Sequence, residues 1–314
     1  MNETDNNRDI RISGRNRKLI IIIVLLLLCI ASAVFILSHY GKSDNKKADK
    51  PANEAPAAEQ AADEGADKPD EPAAAEQTAD TEAALHVYSH RGSAGDDELT
   101  FAAYDRAIEA GSKFIEADVV VSGSGTVYVA HDDYAMDMTG TGGYFSGMTD
   151  GQIDKLKTRS GSNVIKLKDL FEKYGDSVTY IVDIKYTGSR NIDAFTIAVR
   201  TSGMEDNVIA ASSFFDVLRP LDESFPDMPK LYVCADQATF DLALGNDYVD
   251  IISVPKKNMT EDNLKAARDH KKKFSAWTLN SEEEIRSAID LGVDSYFTDD
   301  TGLAIKLEKK YRTE

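Results

Sequence analysis

Apolar positions along the chain fall into three regimes. Residues Leu19 to Leu37, LIIIIVLLLLCIASAVFIL, form an unbroken apolar run without a charge. As a helix rising about 1.5 Å per residue, such a run is long enough to cross a hydrocarbon layer of roughly 30 Å. From Gly41 to Ala84 the only aliphatic side chain is alanine, set among Glu, Asp, Lys and Pro with no aromatic residue. A segment of that kind buries too little apolar surface to offset its ordering entropy, so it is expected to be a disordered acidic tether. From Leu85 onward, short β-branched and aromatic runs alternate with patterns of helical period.

The alternation predicts parallel strands covered by helices. Strand candidates are LHVYSH, KFIEADVVV, VTYIVDIKY, NVIAASSF, KLYVCA, YVDIISV, KFSAWTLN and DSYFTD. Between them lie helical stretches such as LTFAAYDRAIEAG, NIDAFTIAVRTSG, TEDNLKAARDHKKK and SEEEIRSAIDLG, several opening on Ser, Thr or Asn and closing on Gly. The expected fold is α/β, a closed (β/α)8 TIM barrel, preceded by an N-terminal transmembrane helix and a disordered linker. One stretch exceeds an ordinary crossover: VAHDD is followed by the Gly-rich MTGTGGYFSG and two helical pieces before VTYIVDIKY.

The expected domains are a cytoplasmic tail 1–18, a membrane anchor 19–37, an acidic linker 38–84 and a barrel 85–314. A cleaved signal peptide is the alternative to an anchor, because Ala31-Ser32-Ala33 resembles a cleavage site, but Val34-Phe35-Ile36-Leu37 carries the run past it. A lipoprotein signal at Cys29 is opposed by Leu28, where a small residue is wanted. Basic residues are nearly balanced across the run: Arg8, Arg11, Arg15, Arg17 and Lys18 before it, and Lys42, Lys46, Lys47 and Lys50 after it. A short tail ahead of a first apolar segment stays inside, which makes the protein single-pass with its bulk extracytoplasmic. Cys29 and Cys234 are the only cysteines, one in the apolar run, so no intrachain disulfide is expected. The formal charge of −18, with no basic stripe interleaved with aromatics, argues against a nucleic-acid partner.

Reactive side chains recur at the ends of the expected strands, where barrels carry their sites. The first ends Ser89-His90-Arg91-Gly92. The second carries Glu116 and Asp118, whose i, i+2 spacing puts both on one face, and the strand-like GTVYVAHDD after it delivers His131. The third carries Asp183 and Lys185 at the same spacing, and AWTLN offers Trp277 and Asn280. Three carboxylates on two neighbouring strands suit a hard cation, Mg²⁺ or Ca²⁺. Arg91 and Lys185 suit a phosphate, and two imidazoles divide the proton work of cleaving a phosphodiester. His39, His86 and His270 are expected to be ordinary structural or surface histidines. Trp277 is either a substrate wall or a filler of the barrel rim.

The stretch HRGSAGDDELTFAAYDRAIEAGSKFIEADVVVSGSGTVYVAHD resembles the N-terminal signature of the glycerophosphodiester phosphodiesterase family, in which HRG precedes E-N-T, E-x-D-V and HD elements. VIKLKDLFEKYGDSVTYIVDIK is similar to that family's helix and E-x-K strand, and FSAWTLNSEEEIRSAIDLGVDSYFTDD to its tryptophan strand, GVD turn and TD ending. The resemblance implies a TIM barrel that splits a glycerophosphodiester into glycerol 3-phosphate and an alcohol with Ca²⁺ or Mg²⁺. It implies His90 and His131 as the acid–base pair, Arg91 and Lys185 at the phosphate, and Glu116, Asp118 and Asp183 at the metal. The expected substrates are glycerophosphodiesters, lipid head groups or polyglycerol phosphate at the cell envelope. Three positions depart from the pattern: Asp183 replaces a Glu, Leu99 the Asn of E-N-T, and Ser124 the Asp of a D-G turn. The first two keep alternatives open: a related phosphodiesterase of lysophospholipase D or phospholipase C type, or a degenerate barrel that binds the envelope without turnover.

Overall fold

The computed structural model describes residues 85–93, 95 and 97–311. The expected tail 1–18, anchor 19–37 and linker 38–84 lie outside the described residues, and none of the described helices is long and apolar enough to cross a membrane.

The described chain is a (β/α)8 barrel. Its first half runs β1 His86–Ser89, α1 Phe101–Glu109, β2 Phe114–Val121, β3 Val127–Val129, α2 Met136–Thr139, α3 Asp150–Ile153, α4 Leu167–Tyr174, β4 Thr179–Ile184 and α5 Ser189–Ser202. Its second half runs β5 Val208–Ser212, α6 Phe215–Ser224, β6 Lys230–Val233, α7 Gln237–Leu244, β7 Ile251–Pro255, α8 Glu261–Asp269, β8 Lys273–Trp277, α9 Glu282–Leu291, β9 Ser295–Thr298 and α10 Thr301–Tyr311. Parallel pairing runs from β1 to β2, on to β4 and strand by strand to β9, and β9 pairs back to β1, so the cylinder closes. The short β3 stands outside it, antiparallel to β2, with Val119 opposite Val129. The segment after β3 folds into α2, a turn of 3₁₀ helix at Phe145–Gly147, and α3 before the chain rejoins the barrel pattern at α4.

The strands read as near-continuous apolar runs because a parallel sheet is covered on both faces. Interior side chains Tyr88, Ile181, Ile209, Leu231, Ile251 and Phe297 fill the cylinder, while separate clusters seal the strands against the outer helices. Helix starts carry side-chain caps: the Thr100 hydroxyl accepts from Ala103 N ahead of α1, and Ser281 and Glu284 form a capping box on α9.

The turn leaving β1 sets the geometry of the mouth. Arg91 has φ 54° and Gly92 φ 97°, the left-handed region in which only glycine is free of steric cost. Gly92 also passes so close to α1 that a Cβ there would lie 2.7 Å from the backbone carbon of Ala103. Gly125 is equally left-handed at φ 91°, yet a Cβ there would meet nothing within 4 Å. The pair separates conformational strain from collision. Gly125→Ala is expected to cost about 1 kcal/mol in urea unfolding, and Gly92→Ala about 3 kcal/mol or more. Equal losses at the two positions would show that the approach to α1 does not constrain the turn.

Candidate active site

Strand register brings the acidic residues together. β2 and β4 pair with Asp118 opposite Asp183, and Glu116 sits two residues earlier on the same face of β2. All three are buried, at 2%, 1% and 6% exposure, and one oxygen from each lies within 4.8 Å of the others. Asp183, one methylene shorter than the residue expected there, still reaches the cluster.

Three adjacent buried carboxylates repel one another, and the chain sets two cations against them. Lys185 Nζ bridges Asp118 Oδ1 at 2.8 Å and Asp183 Oδ2 at 2.7 Å. Arg91 Nε lies 3.0 Å from Asp118 Oδ2, off-line for a hydrogen bond, and the Arg91 backbone N–H donates to Glu116 Oε2 at 2.8 Å. The compensation is uneven. Burial, and then the charge of Asp118, holds the Glu116 carboxyl well above the usual range, and burial raises Asp183 as well. Burial also acts on Asp118, but Lys185 and Arg91 outweigh it and hold that carboxyl below its ordinary value. Asp183 Oδ1 is buried without a hydrogen-bond partner. Clustered hard oxygens, one of them orphaned, fit Mg²⁺ or Ca²⁺.

The two imidazoles are held differently. His90, following β1, places Nδ1 2.6 Å from Asp299 Oδ1. The hydrogen bond to His90 keeps the Asp299 carboxyl below its ordinary range, so it accepts only, and Nδ1 must carry the proton. Asn280 Nδ2 donates to Asp299 Oδ2 at 2.6 Å, and the Asp299 backbone N–H donates to Asn280 Oδ1 at 2.9 Å. Asn280 is itself fixed by the α9 cap, its N–H donating to Glu284 Oε2 at 2.9 Å. His131 follows β3, with Nδ1 3.1 Å from the exposed Asp132.

A cavity of about 290 Å³ at the strand ends is lined by the eight residues given a site role in the sequence: His90, Arg91, Glu116, Asp118, His131, Asp183, Lys185 and Trp277. Trp277 presents a buried Nε1 without a hydrogen-bond partner. Cys234 also lines the cavity, but burial pushes its thiol up to about 12, which leaves it unreactive. His86 packs on Phe114, its ring centroid 4.4 Å away, and His270 Nδ1 lies 2.8 Å from the Ala266 carbonyl on α8; neither lines the cavity. Asp299 was not singled out in the sequence and Asn280 was given no role. Their signal was their place directly after β9 and just beyond β8.

The sequence model of the Glycerophosphoryl diester phosphodiesterase family matches residues 90–303. The chain is 27% identical to a glycerophosphodiester phosphodiesterase of Caldanaerobacter subterraneus, covering 71% of this chain and 98% of that one. It is 28% identical to the Bacillus subtilis protein YqiK, over 68% and 94% of the respective chains. An Oleispira antarctica phosphodiesterase, solved in complex with the product sn-glycerol-3-phosphate, superposes with a TM-score of 0.66 at 19% identity, over 71% of this chain and 96% of that one.

The carboxylate cluster generates a prediction that does not depend on turnover. At about a hundredfold excess over its dissociation constant, Mg²⁺ or Ca²⁺ should raise the unfolding temperature by about 5–10 °C. The raised carboxyls of Glu116 and Asp183 must lose protons for an ion to enter, so the rise should be larger at about pH 8 than at about pH 5. Differential scanning fluorimetry reads it. A rise equal at both pH values, or undiminished in Glu116→Gln, would place ion binding elsewhere.

Proposed function

The chain belongs to the glycerophosphoryl diester phosphodiesterase family of phosphoric diester hydrolases, and we propose that it cleaves a glycerophosphodiester to glycerol 3-phosphate and an alcohol with His90 and His131 exchanging the protons. The observation that carries this reading is the meeting of two imidazoles, a guanidinium, an ammonium and three buried carboxylates on one cavity.

Each residue then has a role set by its surroundings. Arg91 and Lys185 neutralise the phosphate oxygens, and their own carboxylate partners hold them at the cavity wall. His90, with Nδ1–H committed to Asp299, has Nε2 free as a base; it takes the proton from the attacking oxygen, either that of water, which gives glycerol 3-phosphate directly, or that of the glycerol 2-hydroxyl, which gives a cyclic phosphate that a water then opens to glycerol 3-phosphate. His131 gives a proton to the departing alkoxide as the P–O bond breaks. Glu116, Asp118 and Asp183 would hold a divalent ion, Ca²⁺ or Mg²⁺, which when bound supplies positive charge against the developing negative charge on the phosphate. Trp277 serves as an apolar wall for the substrate.

The degenerate-barrel alternative rested on Asp183 and Leu99, and the first of these lies within reach of both other carboxylates. The proposal extends to location. The apolar run 19–37 would anchor the chain, and the acidic segment 38–84 would tether an extracytoplasmic barrel near glycerophosphodiester, lipid head-group or polyglycerol phosphate substrates.

Glycerol 3-phosphate release tests the reading. Chelation should abolish turnover, and His90→Ala and His131→Ala should each lower kcat about 10³-fold, with Asp299→Asn losing about 10²-fold at little change in KM. A p-nitrophenyl diester, whose leaving group needs no proton, should restore most of the rate to His131→Ala and little to His90→Ala. Wild-type turnover after chelation would remove the ion from the mechanism, and equal rescue of both histidine variants would remove the division of labour.

A further inference from the structure

Main-chain pairing fixes where His90 sits, since its N–H donates to the Thr298 carbonyl at 2.9 Å. It leaves open how the ring is turned and which nitrogen carries the proton. Both are decided by Asp299, whose side chain is 46% exposed, so that its carboxylate is free to swing into water unless something holds it. The holder is Asn280.

One amide grips residue 299 at two points. Asn280 Nδ2 donates to Asp299 Oδ2 at 2.6 Å, the oxygen that His90 does not use. Asn280 Oδ1 accepts the Asp299 N–H at 2.9 Å and the Thr298 hydroxyl at 3.3 Å. The two halves of this clamp need opposite chemistry, a donor toward the carboxylate and an acceptor toward the main chain, which a carboxamide supplies and an ionised carboxylate does not. Asn280 is itself placed independently of Asp299: its N–H donates to Glu284 Oε2 at 2.9 Å, and the neighbouring Leu279 N–H donates to the Phe297 carbonyl at 2.9 Å. Glu284 is in turn paired with Lys256. The result is a polar chain around four consecutive strand ends, from Lys256 after β7 through Asn280 beyond β8 and Asp299 after β9 to His90 after β1.

Resting on the phosphodiesterase reading above, we infer that Asn280 is a positioning residue for the reaction: acting through Asp299, it keeps the His90 proton on Nδ1 and leaves Nε2 bare. Neither Asn280 nor Asp299 lines the cavity, so the effect reaches the reacting atoms through the imidazole. Cutting the clamp releases the carboxylate, and an imidazole with no acceptor on Nδ1 is free to carry its proton on the nitrogen that the reaction needs bare. The outer end of the chain matters less. Lys256 is 57% exposed, and solvent screens its pair with Glu284, so the effect stops at Asn280.

Two readouts test this in the full chain. At a pH that leaves the ring neutral, nitrogen NMR of isotope-labelled histidine should show His90 protonated on Nδ1 alone in the wild type and divided between its two nitrogens in Asn280→Ala. Asn280→Ala should lower kcat about 10- to 30-fold with KM within about twofold, and Asn280→Ser, too short to span both contacts, should lose as much. A loss that acts through Asp299 does not compound: adding Asn280→Ala to Asp299→Asn should change kcat by less than about twofold. The p-nitrophenyl diester should leave the Asn280→Ala defect in place, as for His90→Ala, while Lys256→Ala should turn over like wild type. An unmoved tautomer, losses that multiply, rescue by the p-nitrophenyl diester, or a Lys256→Ala as slow as Asn280→Ala would overturn the inference and leave the phosphodiesterase reading intact. No turnover by the wild type, with the tautomer shifted in Asn280→Ala as expected, would keep the positioning role and sink that reading.

Discussion

Three carboxylates placed side by side in the dry end of a barrel cannot stay charged without cations around them, and the mouth of this protein is arranged around that requirement. Lys185 answers it from β4 and Arg91 from the end of β1. Arg91 does so twice, with its backbone N–H on Glu116 and its guanidinium on Asp118. Meeting both demands puts Arg91 at φ 54°, a costly conformation for a side chain with a Cβ. The next residue must then be glycine, because the turn runs against Ala103 of α1. The HRG sequence is the solution of a packing and charge problem at the barrel mouth.

The same constraint explains why so much was legible in the sequence. Buried parallel strands leave near-continuous apolar runs, and all eight strand candidates correspond to barrel strands of the described chain. Acidic residues interrupting such runs at i, i+2 are conspicuous, since an unpaired charge in a covered strand is too costly to be casual. Other features had no local signal. His90 and Asp299 are 209 residues apart, and only closure of β9 onto β1 brings them to 2.6 Å. α6 holds Pro220 within its span, and α7 is short, so neither announces itself by a long unbroken helical period. A second cavity beside the first is built from the β1–α1 turn and the insertion after β3, two stretches whose meeting no periodicity encodes.

Where the chain departs from the family's pattern, the geometry gives each departure a consequence. Asp183 is shorter than a glutamate but stays in reach of Glu116 and Asp118, with Lys185 against one of its oxygens and the other left over. Leu99 is more telling. It sits at φ 59°, a region that asparagine tolerates far better than leucine, yet it is buried and its N–H donates to the Arg91 carbonyl at 2.9 Å. Its side chain joins the helix–strand core and turns a wall beside Arg91 and His131 apolar.

The central claim is that the acidic cluster exists to hold a cation beside the two imidazoles. Anomalous diffraction from crystals soaked in Mn²⁺ measures this directly, since Mn²⁺ accepts the same oxygen donors as Mg²⁺. The account predicts a single strong peak bonded to Glu116, Asp118 and Asp183, with the Lys185 ammonium displaced toward the cavity. A cluster still bridged by Lys185, with the anomalous signal absent or confined to surface carboxylates, would contradict it.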